Sequence, residues 1–120
     1  MSFVSRALVC IVALLHVGFL VLEMFLWTGP IGARVFALTP EFAAQSAVLA
    51  ANQGLYNGFL AAGLIWGAIA NKRDVMIFFL LCVIVAGVFG GLTAKFTILY
   101  TQAAPGLAAL IVVLLTGKKP

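Results

Sequence analysis

Long uncharged runs constrain this chain more than any motif does. No Asp, Glu, Lys or Arg stands between Arg6 and Glu23, between Glu41 and Lys72, between Asp74 and Lys95, or between Lys95 and Lys118. A helix that crosses a bilayer needs about 20 mostly apolar residues, and the length allows four such spans with short connections. Only 8% of the 120 residues are charged and 65% are hydrophobic, whereas a soluble domain carries about 25% charged residues. Such a chain lacks the polar surface to cover a soluble core. The expected fold is an all-α membrane protein, a four-transmembrane-helix bundle forming one domain over residues 1–120.

The punctuation sets the expected helices. The first spans about 6–27 and stops at Gly29-Pro30, since Gly and Pro interrupt helices. Ile31 to Leu38 reads as a linker. Thr39-Pro40-Glu41 reads as a helix start: Thr can cap, Pro suits the first turn, and Glu favours the positive end of the helix dipole. A helix over 40–70 is about 46 Å long at about 1.5 Å per residue, against an apolar core of about 30 Å. Its first turns are therefore expected to project beyond the bilayer or lie along its surface. Asn71-Lys72-Arg73-Asp74 is a tight polar turn. The third and fourth helices are expected over 74–95 and 99–116, with Pro105-Gly106 either opening the fourth or kinking it.

The net charge of +4 comes from residues that punctuate apolar segments, not from one basic face, so nucleic acid is not an expected partner. Membrane lipids are. Arg6, Lys72, Arg73, Lys118 and Lys119 fall on one side of the expected topology, and Arg34 and Lys95 on the other. Positive-inside bias then places both termini in the cytoplasm, with the chain integral to a bacterial cytoplasmic membrane. The N-terminal stretch is longer than a signal-peptide core, contains His16 and Glu23, and lacks a small-x-small cleavage site, so it is expected to be retained. Cys10 and Cys82 lie in apolar runs without C-x-x-C spacing and read as buried free thiols.

Ionisable groups at membrane depth are expensive and face a bundle interior, a partner or a water-filled cavity. His16 and Glu23 lie seven residues apart and share a helix face with Phe19, Leu20 and Trp27. On the next helix Gln53 and Asn57 align, with Asn52 and Tyr56 on the adjacent strip. Helix 1 travels outward and helix 2 inward, which brings Asn52 to about the depth of Glu23 and Asn57 towards that of His16. Lys95, Tyr100 and Gln102 fall at the outer ends of the later helices. Together these residues outline a polar pocket in the outer half of the bundle. Structural uses weigh against this reading: Glu23 as a carboxylate paired with Lys95 or Arg34, His16 as a packing residue, the amides as interhelical glue. Trp27, Trp66 and Tyr100 read as interfacial anchors.

Small residues recur at four-residue spacing: Gly54, Gly58 and Ala62; Gly63 and Gly67; Gly87 and Gly91. Such faces let helix backbones approach closely, and suit packing within one chain as well as a homodimer seam. No phosphate-binding Gly loop and no Cys or His cluster for zinc is present, so neither a metal nor a cofactor is expected.

His16-x-x-Phe19-x-x-x-Glu23-x-x-x-Trp27 and the run Asn52-Gln53-Gly54-Leu55-Tyr56-Asn57-Gly58-Phe59-Leu60-Ala61-Ala62-Gly63-Leu64 resemble the bacterial membrane family known as domain-of-unknown-function family 1304. The resemblance covers nearly the whole chain, including Gly87 to Thr93. It implies a small integral membrane protein with four spans, and carries over no catalytic residue. The residues of interest remain His16, Glu23, Asn52, Gln53, Tyr56 and Asn57. They fit a small-molecule or lipid binder or transporter. An intramembrane acid–base enzyme of isomerase type, using His16 and Glu23, and a non-catalytic assembly subunit are the competing expectations.

Overall fold

Each uncharged run folds as helix, and the helices end where backbone chemistry stops them. The structure, a computed structural model, describes residues 2–116. The elements are α1 (Phe3–Met24), α2 (Pro30–Phe36), α3 (Pro40–Ala70), α4 (Arg73–Thr93), a π-helical turn (Leu99–Ala103) and α5 (Ala104–Thr116). Lys118 and Lys119, which contribute to the expected orientation, lie outside the described residues.

Among the described residues, α1, α4 and the continuous stretch Leu99–Thr116 are long and apolar enough to cross a membrane. That makes three such helices, where the sequence reading expects four spans. The difference is α3, the longest helix, whose apolar run is diluted by Asn52, Gln53 and Asn57.

The start of α3 has a simple cause. The Phe42 amide donates to Thr39 Oγ1 at 3.1 Å, Pro40 opens the helix, and Glu41 sits in its first turn. The end of α3 is equally local. Asn71 takes the left-handed conformation (φ 55°), and the Lys72 amide returns to Gly67 O at 2.9 Å. Asn tolerates that region better than most residues and terminates helices there.

Two differences from expectation bear on the site. First, α1 ends at Met24, and the Leu26 amide closes on Val21 O at 3.2 Å. Trp27 therefore lies in the following turn and not on the stripe of Glu23. Second, the expected linker Ile31 to Leu38 is mostly helix α2. Pro30 occupies its first turn, where a missing N–H costs nothing. Ala37 ends it in the left-handed region, with the Leu38 amide on Ala33 O at 3.1 Å.

Pro105 neither opens the last helix alone nor kinks a regular one. It is the second residue of α5, directly after the π-helical turn, and the Ala104 amide bonds Leu99 O five residues back. A proline inside a helix lacks an N–H and crowds the carbonyl four residues earlier. Placing the wide turn immediately before it shifts the hydrogen-bond register at that point.

By internal contacts the chain forms two units, one from the residues up to Ala13 together with those from Leu60 onward, the other Leu14–Phe59. The boundaries fall inside α1 and α3. In the first unit, α1 gives Val9, Val12 and Ala13 to a core shared with Leu64 of α3, Leu80 and Val83 of α4, and Leu110 and Val113 of α5. Glycines set the approach. A Cβ at Gly87 would lie 2.6 Å from Ala103 N, and one at Gly67 would lie 2.7 Å from Met76 Cγ. At one end of this unit Ser5, fully buried, hydrogen-bonds Ser2 and Thr116. There, too, Arg6 Nε donates to Ala68 O at 2.9 Å and Arg73 Nη2 to Leu114 O at 3.3 Å. These arginines satisfy carbonyls that helix C-termini leave open.

Candidate functional site

The site lies in the unit Leu14–Phe59 and is assembled by small residues. A Cβ on Gly54 would fall 2.6 Å from Met24 Cγ and 3.2 Å from Glu23 Cβ; one on Gly58 would fall 2.8 Å from Leu20 Cδ1. Glycine at these positions lets α3 approach the Leu20–Met24 stretch of α1 closely, at Gly54 with Leu20 O 3.2 Å from its Cβ position and at Gly58 with the end of the Leu20 side chain. Asn57 lies between them in sequence and is buried, 7% exposed. Its Nδ2 donates to Glu23 Oε1 at 2.6 Å.

Glu23 is half-buried. A carboxylate offers about four acceptor positions, and the Asn57 amide fills one of them. The remaining ones can receive a proton, an N–H or O–H donor, or a cation. This is the chemistry the arrangement makes available.

The other expected residues divide. His16 is fully buried, its ring edge-on to Phe19 with centroids 5.0 Å apart. Tyr56 is 58% exposed and leans on Phe59 at 5.9 Å. Asn52 and Gln53 are exposed on α3, Gln53 one turn before Asn57 on the same strip. The structure thus joins Glu23 to Asn57, buries His16, and leaves Asn52, Gln53 and Tyr56 exposed on α3, with Asn52 and Tyr56 on the side of the helix away from Gly54. Lys95, Tyr100 and Gln102 belong to the other unit, where Tyr100 meets Phe96 edge-on at 5.7 Å.

One constellation was not anticipated. Trp27 Nε1 donates to Ser46 Oγ at 3.0 Å, Ser46 Oγ donates to Phe42 O at 2.6 Å, and the Trp27 ring packs on Phe36 at 4.9 Å. Trp27 therefore ties the turn after α1 to α2 and to the first turns of α3. Its sequence signal was the indole N–H itself, which needs an acceptor when partly buried. Ser46 is a half-buried hydroxyl within reach. Among the described residues, no group of three or more His, Cys, Asp or Glu side chains is placed to hold a metal ion.

The glycine faces are also accounted for. Gly54 and Gly58 meet Leu20 to Met24, Gly63 meets Phe79, Gly67 meets Met76, Gly87 meets Ala103, and Gly91 meets Leu99.

The family described as "Protein of unknown function (DUF1304)" matches residues 10–114. The chain belongs to this family. The matched span covers Glu23, Asn57 and the whole of α3. A relative of this DUF1304 protein is the uncharacterized protein YpaA of Lactococcus lactis subsp. lactis (strain IL1403). The two are 31% identical over 115 residues, 92% of this chain and 97% of YpaA. No solved structure matches the chain.

Proposed function

We propose that this DUF1304 protein is a bacterial integral membrane protein that crosses the cytoplasmic membrane four times, with both termini inside. We further propose that it binds a small molecule or lipid headgroup at the Glu23–Asn57 pair. The observation that carries the binding reading is a half-buried carboxylate within an apolar helix, its Oε1 accepting from the buried Asn57 amide at 2.6 Å. A side chain that serves packing alone in an apolar medium is expected to have its acceptors filled. Among the described residues one donor, the Asn57 amide, meets the Glu23 carboxylate, and Gln53, one turn before Asn57, adds an exposed amide. A cationic or donor-rich amphiphile fits that combination, with its charged end on Glu23 and its apolar part on the apolar surface of the helices.

The fourth crossing is α3. Arg6, Lys72 and Arg73 are the basic residues of the inner side, so the chain must go out through α1 and return through α3. Its first turns, with Glu41, then stand beyond the bilayer. The buried ring of His16 weighs against the acid–base enzyme reading, which needs that ring to meet a substrate.

Two experiments test these readings. In a variant free of Cys10 and Cys82, a cysteine at Lys72 is expected to react with an impermeant maleimide only from the cytoplasmic side. A cysteine at Arg34 is expected to react only from the outside; the reverse pattern would overturn the topology. Binding is tested by ligand-dependent melting of Glu23→Gln against the natural protein, screening lipids and small amphiphilic cations.

A further inference from the structure

The unit formed by residues up to Ala13 and from Leu60 onward holds a second feature, remote in sequence from Glu23. A groove of about 390 Å³ is lined by Phe3, Arg6, Ala7, Cys10, Ala68 and Ile69. That volume lies within the range of small-molecule sites, about 300–1,000 Å³. The α1 contribution follows helical spacing, with residues 3, 6, 7 and 10 on one strip. Four of the six lining residues are alanine or larger hydrocarbon side chains, and a fifth is a free thiol. The one charged member is Arg6.

Arg6 is not loosely placed. Its Nε donates to Ala68 O at 2.9 Å, which anchors the guanidinium at the groove. That bond uses one of five N–H donors, and a guanidinium is a planar fork that matches a phosphate's oxygens. Lys72, exposed, follows four residues after Ala68, its amide bonded to Gly67 O just past the end of α3. Phe3 and Ile69 are 85% and 73% exposed, so the apolar wall of the groove is open on its flank.

We infer that this groove is a binding site for an anionic phospholipid, with the headgroup phosphate on Arg6 and an acyl chain along Phe3, Ala7, Cys10 and Ile69. The inference rests on the membrane reading above but shares no residue with the Glu23 site. A soluble anion would use Arg6 and leave the apolar wall uncovered. A zwitterionic lipid would use the wall but bring its own cation to Arg6. An anionic lipid satisfies both. Basic residues at the cytoplasmic surface attract such lipids in general; here the groove adds a fixed geometry.

The test is native mass spectrometry of the purified full-length protein, released from detergent after incubation with phosphatidylglycerol or phosphatidylcholine of matched chains. The natural protein is expected to retain phosphatidylglycerol in preference. Arg6→Gln is expected to reduce that retention about tenfold, the size of one charge-assisted contact, while Arg34→Gln leaves it unchanged. Ala7→Phe fills the groove and is expected to reduce retention of both lipids. Equal retention of the two lipids by the natural protein would overturn the inference, and needs no variant to fold. So would an equal loss in Arg34→Gln, or displacement of phosphatidylglycerol by millimolar inorganic phosphate, which would mark a simple anion site. Any of these failures leaves the Glu23→Gln melting result untouched.

Discussion

Gly87→Ala is expected to lower the stability of the protein by about 3 kcal/mol, the upper part of the range for overpacking. The added methyl group would sit 2.6 Å from Ala103 N and 2.9 Å from Ala103 Cα. Both are backbone atoms, so no side-chain rotation relieves the clash. The π-helical turn must move away from α4, and Gly106 against Val83, 2.8 Å from its own Cβ position to Val83 Cγ1, moves with it. The loss is a large share of a total that is commonly about 5–15 kcal/mol. Gly18→Ala is the control. It is the same chemical change in α1, with nothing within 4 Å of the new atom, and is expected to be neutral or mildly stabilising because alanine is the better helix former. Thermal melting of both variants in one detergent checks the pair. Equal behaviour of the two would mean that α4 and the π turn are not packed as described.

Asn57→Leu is expected to cost about 1.5–2 kcal/mol, within the range for a hydrogen bond to a charged group whose partner is then left without its donor. Asn57 is 7% exposed and its amide lies 2.6 Å from Glu23 Oε1, so leucine of similar size fits the space but offers no donor. Because Glu23 is only half-buried, water recovers part of the loss, which keeps the figure at the lower end. The decisive comparison is the double variant Glu23→Met with Asn57→Leu. Removing both partners takes away the unmet need of each, so the double variant is expected to melt close to the natural protein and above Asn57→Leu alone. A double variant whose loss equals the sum of the single losses would show that the two side chains do not interact.

The sequence made the helices of the chain legible because charge is so scarce. The uncharged runs, the Thr39-Pro40-Glu41 start and the Asn71 turn are local signals, and the backbone obeys them locally. Three features were not legible. The α2 helix is too short for periodicity to show, and the Pro30 that ends one helix also begins another. The π-helical turn depends on how Pro105 is accommodated, a register choice with no residue signature of its own. The rotation of α3 about its axis decides which polar residues face Glu23. A stripe of i, i+4 positions selects Asn57 with Gln53, and Asn52 with Tyr56, but not which member is buried. Gly54 and Gly58 lie on the side of α3 that meets Leu20, Glu23 and Met24, and Asn57, next to that side, is buried. The small-residue spacing was visible from the start; its target was not, because close approach within a chain and between chains asks for the same residues.

The account stands on Glu23 being a binding group that the fold does not need for its own support. The most direct measurement is the melting temperature of the natural protein and of Glu23→Gln, each with and without the lipids and amphiphilic cations of the screen. Gln keeps the size of the side chain and an acceptor for the Asn57 amide, removes the charge and puts an NH2 group in place of the second oxygen. The account predicts an unchanged melting temperature for Glu23→Gln without ligand, and loss of the ligand-induced rise seen in the natural protein. A lowered melting temperature together with an undiminished ligand response would contradict it, and would make Glu23 a structural carboxylate.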